Sequence, residues 1–472
     1  MTNTFTDDAL GDLDAVGLTE AMRSRQVSVG EVIDAAIARC EAADQQLAAV
    51  AVDRFAAARA DARRPAPGFF SGVPSFIKDN TDLAGLPTQQ GTASFVGKPK
   101  PTDGDVARSM RAQGFIMLGK TRLSEFGFSG AAEYVEDDPV RNPWHLDHTS
   151  GASSAGAAAL VAAGVVPIAH ANDGGGSIRI PASCCGLVGM KPTRNRTPSD
   201  AVTRNMPLRI VADGVLTRTV RDTAAFLRES ERVYRNPALP PVGDVRGPGH
   251  RRLKIGVVVD SISGTPTDFE HRQVLLATAD KLEAAGHHLE VVEAPALPSF
   301  SNDFLDYWST FALFFTRAGK VELDKSFDPD LLDNLTKGLA KHASRHAYRM
   351  PRSLSRLWGS QFVTKRFFKK YDAILTPTLG HVTPPLGHLK PDQDYETLIA
   401  KLIDWVSFTP LQNASGDPAI SVPAGLSKTG LPIGVHLSAE QGHEARLLEL
   451  AFELEEIQPF PRLVDHVGLR HQ

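Results

Sequence analysis

The sequence predicts an α/β protein, because short buried strands alternate with amphipathic helices along most of its 472 residues. Two stretches carry that expectation. Residues 72–80 (Gly-Val-Pro-Ser-Phe-Ile-Lys-Asp-Asn) are an apolar run bounded by turn formers, hence a strand with Lys78 at its polar end. Residues 253–259, 272–285 and 288–292 read strand, helix, strand, which is a βαβ unit in a sheet with helices on its faces.

The other elements follow in chain order. Ser28 and Glu31 form a capping-box pattern, after which Val29, Val32, Ile33, Ala36, Ile37 and Cys40 recur at helical spacing. That helix is expected to continue through an alanine-rich stretch, 53–64, and to stop at Pro65 and Pro67, making residues 1–70 an outer helical layer. Residues 105–114 predict a helix, 115–118 a buried strand, and 155–163 a helix of small residues able to pack closely. The proline- and glycine-rich segment 237–249 is the linker candidate.

Composition narrows the partners. A net charge of -4 supplies no electrostatic footprint for nucleic acid or anionic lipid. The densest basic run, Lys365 to Lys370, is interrupted by Phe367 and Phe368 and reads as the solvated edge of an amphipathic helix. Cys40, Cys184 and Cys185 are too few for a disulfide framework, which fits a reducing, cytoplasmic compartment. The first residues lack a basic region followed by an apolar one, and no run of about 18 apolar residues occurs, so neither export nor a membrane is expected.

Chemistry concentrates between Thr149 and Ile180, where Gly151-Ala-Ser-Ser-Ala-Gly156 and Asp173-Gly-Gly-Gly-Ser177 lie close in sequence. Glycines beside a serine expose backbone N–H groups around a hydroxyl, the combination of nucleophile and oxyanion donors that acyl transfer needs. A serine-hydrolase elbow at Ser153 is disfavoured because residues 142–149 read as a proline-containing loop where a strand is required. Ser75-Phe-Ile-Lys78 and Lys428-Thr-Gly430 match motifs of penicillin-recognising enzymes, but a strand would put Ser75 and Lys78 on opposite faces. The glycine loop lacks the Gly-Lys-Ser/Thr ending of a phosphate-binding loop. His170 and Asp173 show no sign of converging on Ser177, and His170 reads as a packed histidine. No metal is expected, since no His-x-x-x-His is followed by an acid and no paired Cys-x-x-Cys occurs.

Taken together, Gly72 to Asn80, Gly119-Lys-Thr-Arg-Leu-Ser-Glu-Phe126, Asn142-Pro-Trp144, the two glycine-serine runs, Cys185-Gly-Leu-Val-Gly-Met-Lys-Pro-Thr193, Gly416-Asp-Pro-Ala-Ile-Ser421 and Gly430-Leu-Pro-Ile-Gly434 resemble the amidase signature family. Within it, residues 169–186 resemble amidases related to 6-aminohexanoate-cyclic-dimer hydrolase. The resemblance implies the family's fold, a large twisted mixed sheet with helices on both faces. It divides the chain into the layer 1–70, a catalytic core 71–235, and an α/β part 236–472 with a variable helical region at 300–370.

The resemblance also implies a Ser-Ser-Lys triad of Lys78, Ser153 (on a cis peptide) and the nucleophile Ser177. Oxyanion donors would come from Gly174, Gly175, Gly176 and Ser177, and Asp173 and Arg179 would pair to hold the loop. Ser154 would join the network or serve only a turn. Ala152 and Ala155 stand where glycines are usual, and Asn172 where threonine is usual, which bears on substrate shape. Lysine acts as a base only while neutral, so its pKa must fall from about 10.4, and burial is the available means.

The implied activity is hydrolysis of a linear, non-peptide carboxamide through an acyl-serine, extending to esters or cyclic amides, with water and no cofactor, and a homodimer is the expected assembly. A glutaminase-type subunit of a transfer-RNA-dependent amidotransferase is the alternative, and a non-catalytic binding protein ranks third. Phe304, Tyr307, Trp308, Phe311, Phe314 and Phe315 fall at helical spacing, an apolar face for core packing or for a substrate pocket.

Overall fold

The structure of the protein is a computed structural model that describes residues 1–466. Among these residues an eight-stranded mixed sheet runs in the order His288–Val291, Lys254–Val257, Ala373–Pro377, Pro432–Ser438, Ala419–Leu426, Val188–Lys191, Ala212–Thr217, Ile168–Asp173. The first three strands are parallel and every later pairing is antiparallel. Helix Phe269–Ala284 connects the parallel strands Lys254–Val257 and His288–Val291, so the expected βαβ unit forms.

A three-stranded sheet, in the order Val50–Asp53, Ile116–Thr121, Pro74–Lys78, lies beside the edge strand Ile168–Asp173. The N–H of Lys78 donates to Nδ1 of His170 (3.2 Å) and ties the two sheets together. Strand alternation divides the apolar side chains between two cores. Val215 belongs to the apolar cluster that includes Leu18, Met110, Phe226, Leu275 and Leu447, whereas its neighbour Leu216 belongs to the one that includes Ile37, Leu160, Ile178 and Cys184. Helices therefore cover both faces of the main sheet.

The capping box at Ser28 is present, with the Ser28 N–H donating to Glu31 (2.8 Å) at the head of helix Val29–Leu47. The expected continuation of that helix is not. The chain turns at Ala48 with a left-handed backbone (φ 49°), forms the strand Val50–Asp53 antiparallel to Ile116–Thr121, and resumes as helix Phe55–Ala62. Two valines alternating with other residues favour the strand over the alanine-rich helix on either side. Residues 142–149 also differ from the expected loop: Arg141–Asn142 and His145–Thr149 form a hairpin with Pro143 in its turn.

Residues 237–249 carry neither helix nor strand. The basic run ends helix Met350–Phe368, with Lys365, Arg366, Lys369 and Lys370 exposed. All three cysteines are buried and free. Among the described residues no helix is long and apolar enough to cross a membrane. Helices Phe300–Glu322, Asn334–His346, Met350–Phe368 and Tyr395–Trp405 make a helical cap.

Helix Ala155–Ala162 packs as closely as its small residues allow, and each of its eight residues is buried. A Cβ added at Gly156 would lie 2.2 Å from the carbonyl oxygen of Ala49 and 2.9 Å from the N of Arg122, both backbone atoms that cannot swing aside. Gly156→Ala is therefore expected to destabilise the fold by about 1–3 kcal/mol through overpacking. Urea unfolding should show a lower midpoint at unchanged slope, and an unmoved midpoint would contradict the packing argument.

Candidate active site

Strand Pro74–Lys78 is buried along its whole length and delivers the Lys78 amine into the interior. Lys78 Nζ lies 2.7 Å from Ser153 Oγ and 2.7 Å from Asn172 Oδ1, with the Asn172 carbonyl oxygen at 3.4 Å. Among the described residues no carboxylate pairs with it. Burial pushes the amine down from 10.5 to about 7, against the weaker upward pull of the Asp173 and Asp213 charges. Near neutral pH the lysine is thus divided between its charged and uncharged forms.

Ser153 follows a cis peptide from Ala152 and is almost wholly buried. Ser154 is buried as well, its hydroxyl donating to the Asn172 carbonyl (3.3 Å). Asn172 exchanges side-chain hydrogen bonds with Asn80 (3.0 and 3.3 Å), which fixes which end of its amide faces Lys78. In the sequence Asn172 stands out only as a departure from threonine, and Asn80 only as the end of a motif. A polar amide on a fully buried strand must find partners, and that was the available signal.

Ser75 does not reach Lys78; its hydroxyl bonds within its own strand, to the Phe76 carbonyl. His170 accepts the Lys78 N–H at Nδ1, so its proton sits on Nε2, which faces Asp213 Oδ1 at 3.2 Å. It is a packed histidine that joins strands.

The glycine loop is organised by one carboxylate. Asp173 Oδ1 accepts the Gly176 N–H (2.8 Å) and Oδ2 accepts that of Ile178 (3.2 Å). Arg179 grips the same group twice, Nη2 to Oδ1 at 2.8 Å and Nε to Oδ2 at 2.9 Å, and both side chains are completely buried. Asn413 Nδ2 adds a bond to Oδ1 (2.8 Å), and Arg179 Nη1 donates to His436 Nε2 (3.0 Å). Burial works to raise the Asp173 pKa, but the Arg179 charge and these hydrogen bonds hold it well below the usual carboxylate range. Burial, then Arg179, keeps His436 well below its ordinary value and therefore neutral.

This arrangement corrects one expectation. The Gly176 N–H is taken by Asp173, so Gly176 is not a free oxyanion donor; its glycine identity has another reason. Its φ is +138°, and a Cβ there would lie 2.3 Å from Thr409 Oγ1, whose hydroxyl donates to the Gly175 carbonyl (2.6 Å). By contrast, no acceptor among the described residues takes the N–H of Gly174, Gly175 or Ser177.

Ser177 and Gly175 line a cavity of about 100 Å³ together with Ala152, Phe304 and Trp308. Among the described residues no charged side chain lines it. A Cβ at Gly174 would meet Trp308 at 3.2 Å and one at Gly175 would meet Phe304 at 3.6 Å, so these rings rest on the glycine loop itself. The aromatic stripe is thus divided along its helix. Phe304 and Trp308 face the cavity, Tyr307 is buried with its hydroxyl bonded to both backbone groups of Leu208, Phe315 stacks on Phe126, and Phe314 is exposed. Of the two alanine departures, Ala152 lines the cavity, whereas Ala155 opens a helix away from it.

Among the described residues one trio of side chains has metal-ligand spacing, Asp306, His342 and His346, and it is not part of the cavity wall.

The fold that holds this buried lysine-serine contact is that of hydrolases acting on amide C–N bonds. A family model described as Amidase matches residues 31–448, and the chain belongs to the amidase signature family. It is 52% identical over 460 residues to a Mycobacterium leprae protein described as "Putative amidase AmiC", covering 97% of this chain and 98% of that one. It is 32% identical to a 6-aminohexanoate-cyclic-dimer hydrolase of a Pseudomonas strain, over 95% of each chain. A solved structure of 6-aminohexanoate cyclic dimer hydrolase with substrate superposes with a TM-score of 0.85 at 29% identity, covering 95% of this chain and 98% of that one. A bacterial aryl acylamidase superposes with a TM-score of 0.84 at 26% identity, over 95% and 96%.

Removing one partner of a buried ion pair leaves an uncompensated charge, at a cost of about 3–5 kcal/mol. Arg179→Met should therefore lower the unfolding free energy by about that amount. Because Asp173 is held below its unfolded value of 3.8, the pair's contribution is complete above that pH and is lost only as pH falls through the still lower folded value. In the variant burial is no longer opposed by Arg179 and raises the Asp173 pKa, so denaturant titrations should give a loss that is largest at high pH and shrinks as pH falls and the lone carboxyl protonates; a loss that grows from pH 7 to pH 5 would contradict this ordering.

Proposed function

We propose that this amidase cleaves uncharged carboxamides with an apolar acyl side, through an acyl intermediate on Ser177. Ser177 Oγ attacks the amide carbon while its proton passes to Ser153 and from there to the Lys78 amine. The tetrahedral oxyanion collects the N–H groups of Gly174, Gly175 and Ser177. When the C–N bond breaks, the proton returns through Ser153 to the departing amine. Water then attacks the ester along the same relay, releasing the acid and restoring Ser177.

The observation that carries this reading is the Lys78 amine, buried, held near pKa 7 and 2.7 Å from Ser153. Asn172 Oδ1 acts as a positioning group: by accepting an N–H of the neutral amine it turns the remaining lone pair toward Ser153. The cavity supports the substrate class, since Phe304, Trp308 and Ile403 suit an alkyl or aryl group and no charged side chain is there to pair with an ionised substrate. The same feature weighs against the glutaminase reading, because glutamine carries an ammonium and a carboxylate that need partners. A solved amidotransferase A subunit is similar in fold, with a TM-score of 0.77 at 23% identity. The name of the aryl acylamidase agrees with an aryl-accepting wall. A cytoplasmic setting is part of the reading, supported by three free buried thiols.

Intact-mass analysis after exposure to an activated ester or a phosphonate should show one adduct on Ser177, absent from Ser177→Ala. Lys78→Ala should lower kcat by about 10²–10⁴, the usual worth of a positioned base. If the adduct forms on another residue, or Lys78→Ala keeps full activity, the relay is wrong.

The pH profile supplies a second check. Only the uncharged amine accepts a proton, so kcat/KM should climb as pH rises through about 7 and level off above it. Asn172→Asp places a carboxylate beside the amine, favours its charged form and should move that limb to higher pH. A limb that stays in place would remove Asn172 from the site's electrostatics.

A further inference from the structure

The helical cap holds a cluster that amide hydrolysis does not use. Asp306, on helix Phe300–Glu322, is 4% exposed, and among the described residues no lysine or arginine pairs with it. Its Oδ2 accepts the Ser353 hydroxyl (3.0 Å) and its Oδ1 lies 2.9 Å from His342 Nε2. His342 and His346 stand one turn apart on helix Asn334–His346, with ring centroids 4.3 Å apart. His346 Nδ1 lies 3.0 Å from the His342 carbonyl oxygen. A carbonyl only accepts, so Nδ1 carries the proton and Nε2 keeps its lone pair, which no donor takes among the described residues. One donor atom from each of the three side chains lies within 4.8 Å of the other two.

The geometry points to a divalent transition-metal site formed by Asp306, His342 and His346. Two imidazole nitrogens with one carboxylate oxygen suit zinc, cobalt or nickel, whereas magnesium and calcium prefer oxygen donors throughout. Ligands on a tetrahedral ion with bonds of about 2.0–2.1 Å sit roughly 3.4 Å apart, so the cluster needs only side-chain adjustment to close on one. A buried, otherwise unpaired carboxylate is the expensive part of such a site, and an ion beside it supplies the missing positive charge. Close by, the Tyr395 hydroxyl is buried without a hydrogen-bond partner among the described residues, and the Asp306 charge adds to the burial and Glu396 effects that raise its pKa.

The ion would act as a clamp and not as a reactant. Asp306 stands between Leu305, in the cavity wall, and Tyr307, and its helix also carries Phe304 and Trp308 in that wall. Binding at Asp306 would fix this helix against Asn334–His346. The simpler alternative is a histidine-carboxylate hydrogen bond with no ion, and the test separates them.

The full-length protein, stripped with chelator, is titrated with cobalt(II) by visible absorption and with zinc(II) by calorimetry. One equivalent should bind saturably, and the thermal midpoint should rise with zinc. His346→Gln, at a half-buried position that leaves the fold intact, and His342→Gln should each weaken binding by at least about tenfold and abolish the midpoint shift. Lys78→Ala should bind metal like the parent, which keeps this outcome distinct from that of the hydrolase reading. The site is overturned if the parent shows no saturable one-to-one binding, or if both histidine variants retain it.

Discussion

The Asp173 carboxylate sits, fully buried, at the end of a buried edge strand, and the candidate site is arranged around the means by which that charge is tolerated. Arg179 neutralises it in a forked contact, Asn413 and two loop N–H groups complete its hydrogen bonds, and His436 Nε2 accepts a hydrogen bond from Arg179 Nη1. A pair this deep would give little net stability against an apolar replacement, because desolvation offsets most of the attraction. What it provides is a fixed direction for every peptide from 173 to 179. The N–H groups it leaves free are those beside the cavity.

The same carboxylate enters the electrostatics of Lys78. Burial lowers that amine and Asp173 partly restores it, so the balance near 7 depends on a charge that never touches it. Lys191 shows how local the balance is. It too is fully buried and brought to about 7, first by burial and next by repulsion from Arg179, but its ammonium group bonds the Pro192 carbonyl and meets no serine. A lowered amine is common to both positions; of the two, Lys78 is the one bonded to a hydroxyl among the described residues, whereas Lys120, also buried and lowered, bonds the Thr88 hydroxyl but is ion-paired with Asp79.

Much of this was legible in the sequence, and the unread parts have physical causes. Strands 74–78 and 254–257, the Ser28 cap and the glycine loop follow from local rules, namely apolar runs between turn formers and a serine paired with a glutamate. The strand Val50–Asp53 did not, because its four residues take their conformation from pairing with Ile116–Thr121, a partner distant in sequence. The role of Asn172 depends on Asn80 and Lys78, and the capture of the Gly176 N–H on Asp173 folding back over its own loop. The fate of the aromatic stripe was undecidable from spacing alone, since one helix turns some of its rings to the cavity, some to the core and one to solvent.

The rings that meet the cavity come from a helix more than a hundred residues beyond the serine they face, in a cap held apart from the strands that carry lysine and carboxylate. The cavity wall and the buried amine are therefore drawn from different stretches of chain. A change at Phe304 or Trp308 thus reshapes the cavity wall without touching Lys78, Ser153 or Asn172, and wall and amine can vary independently.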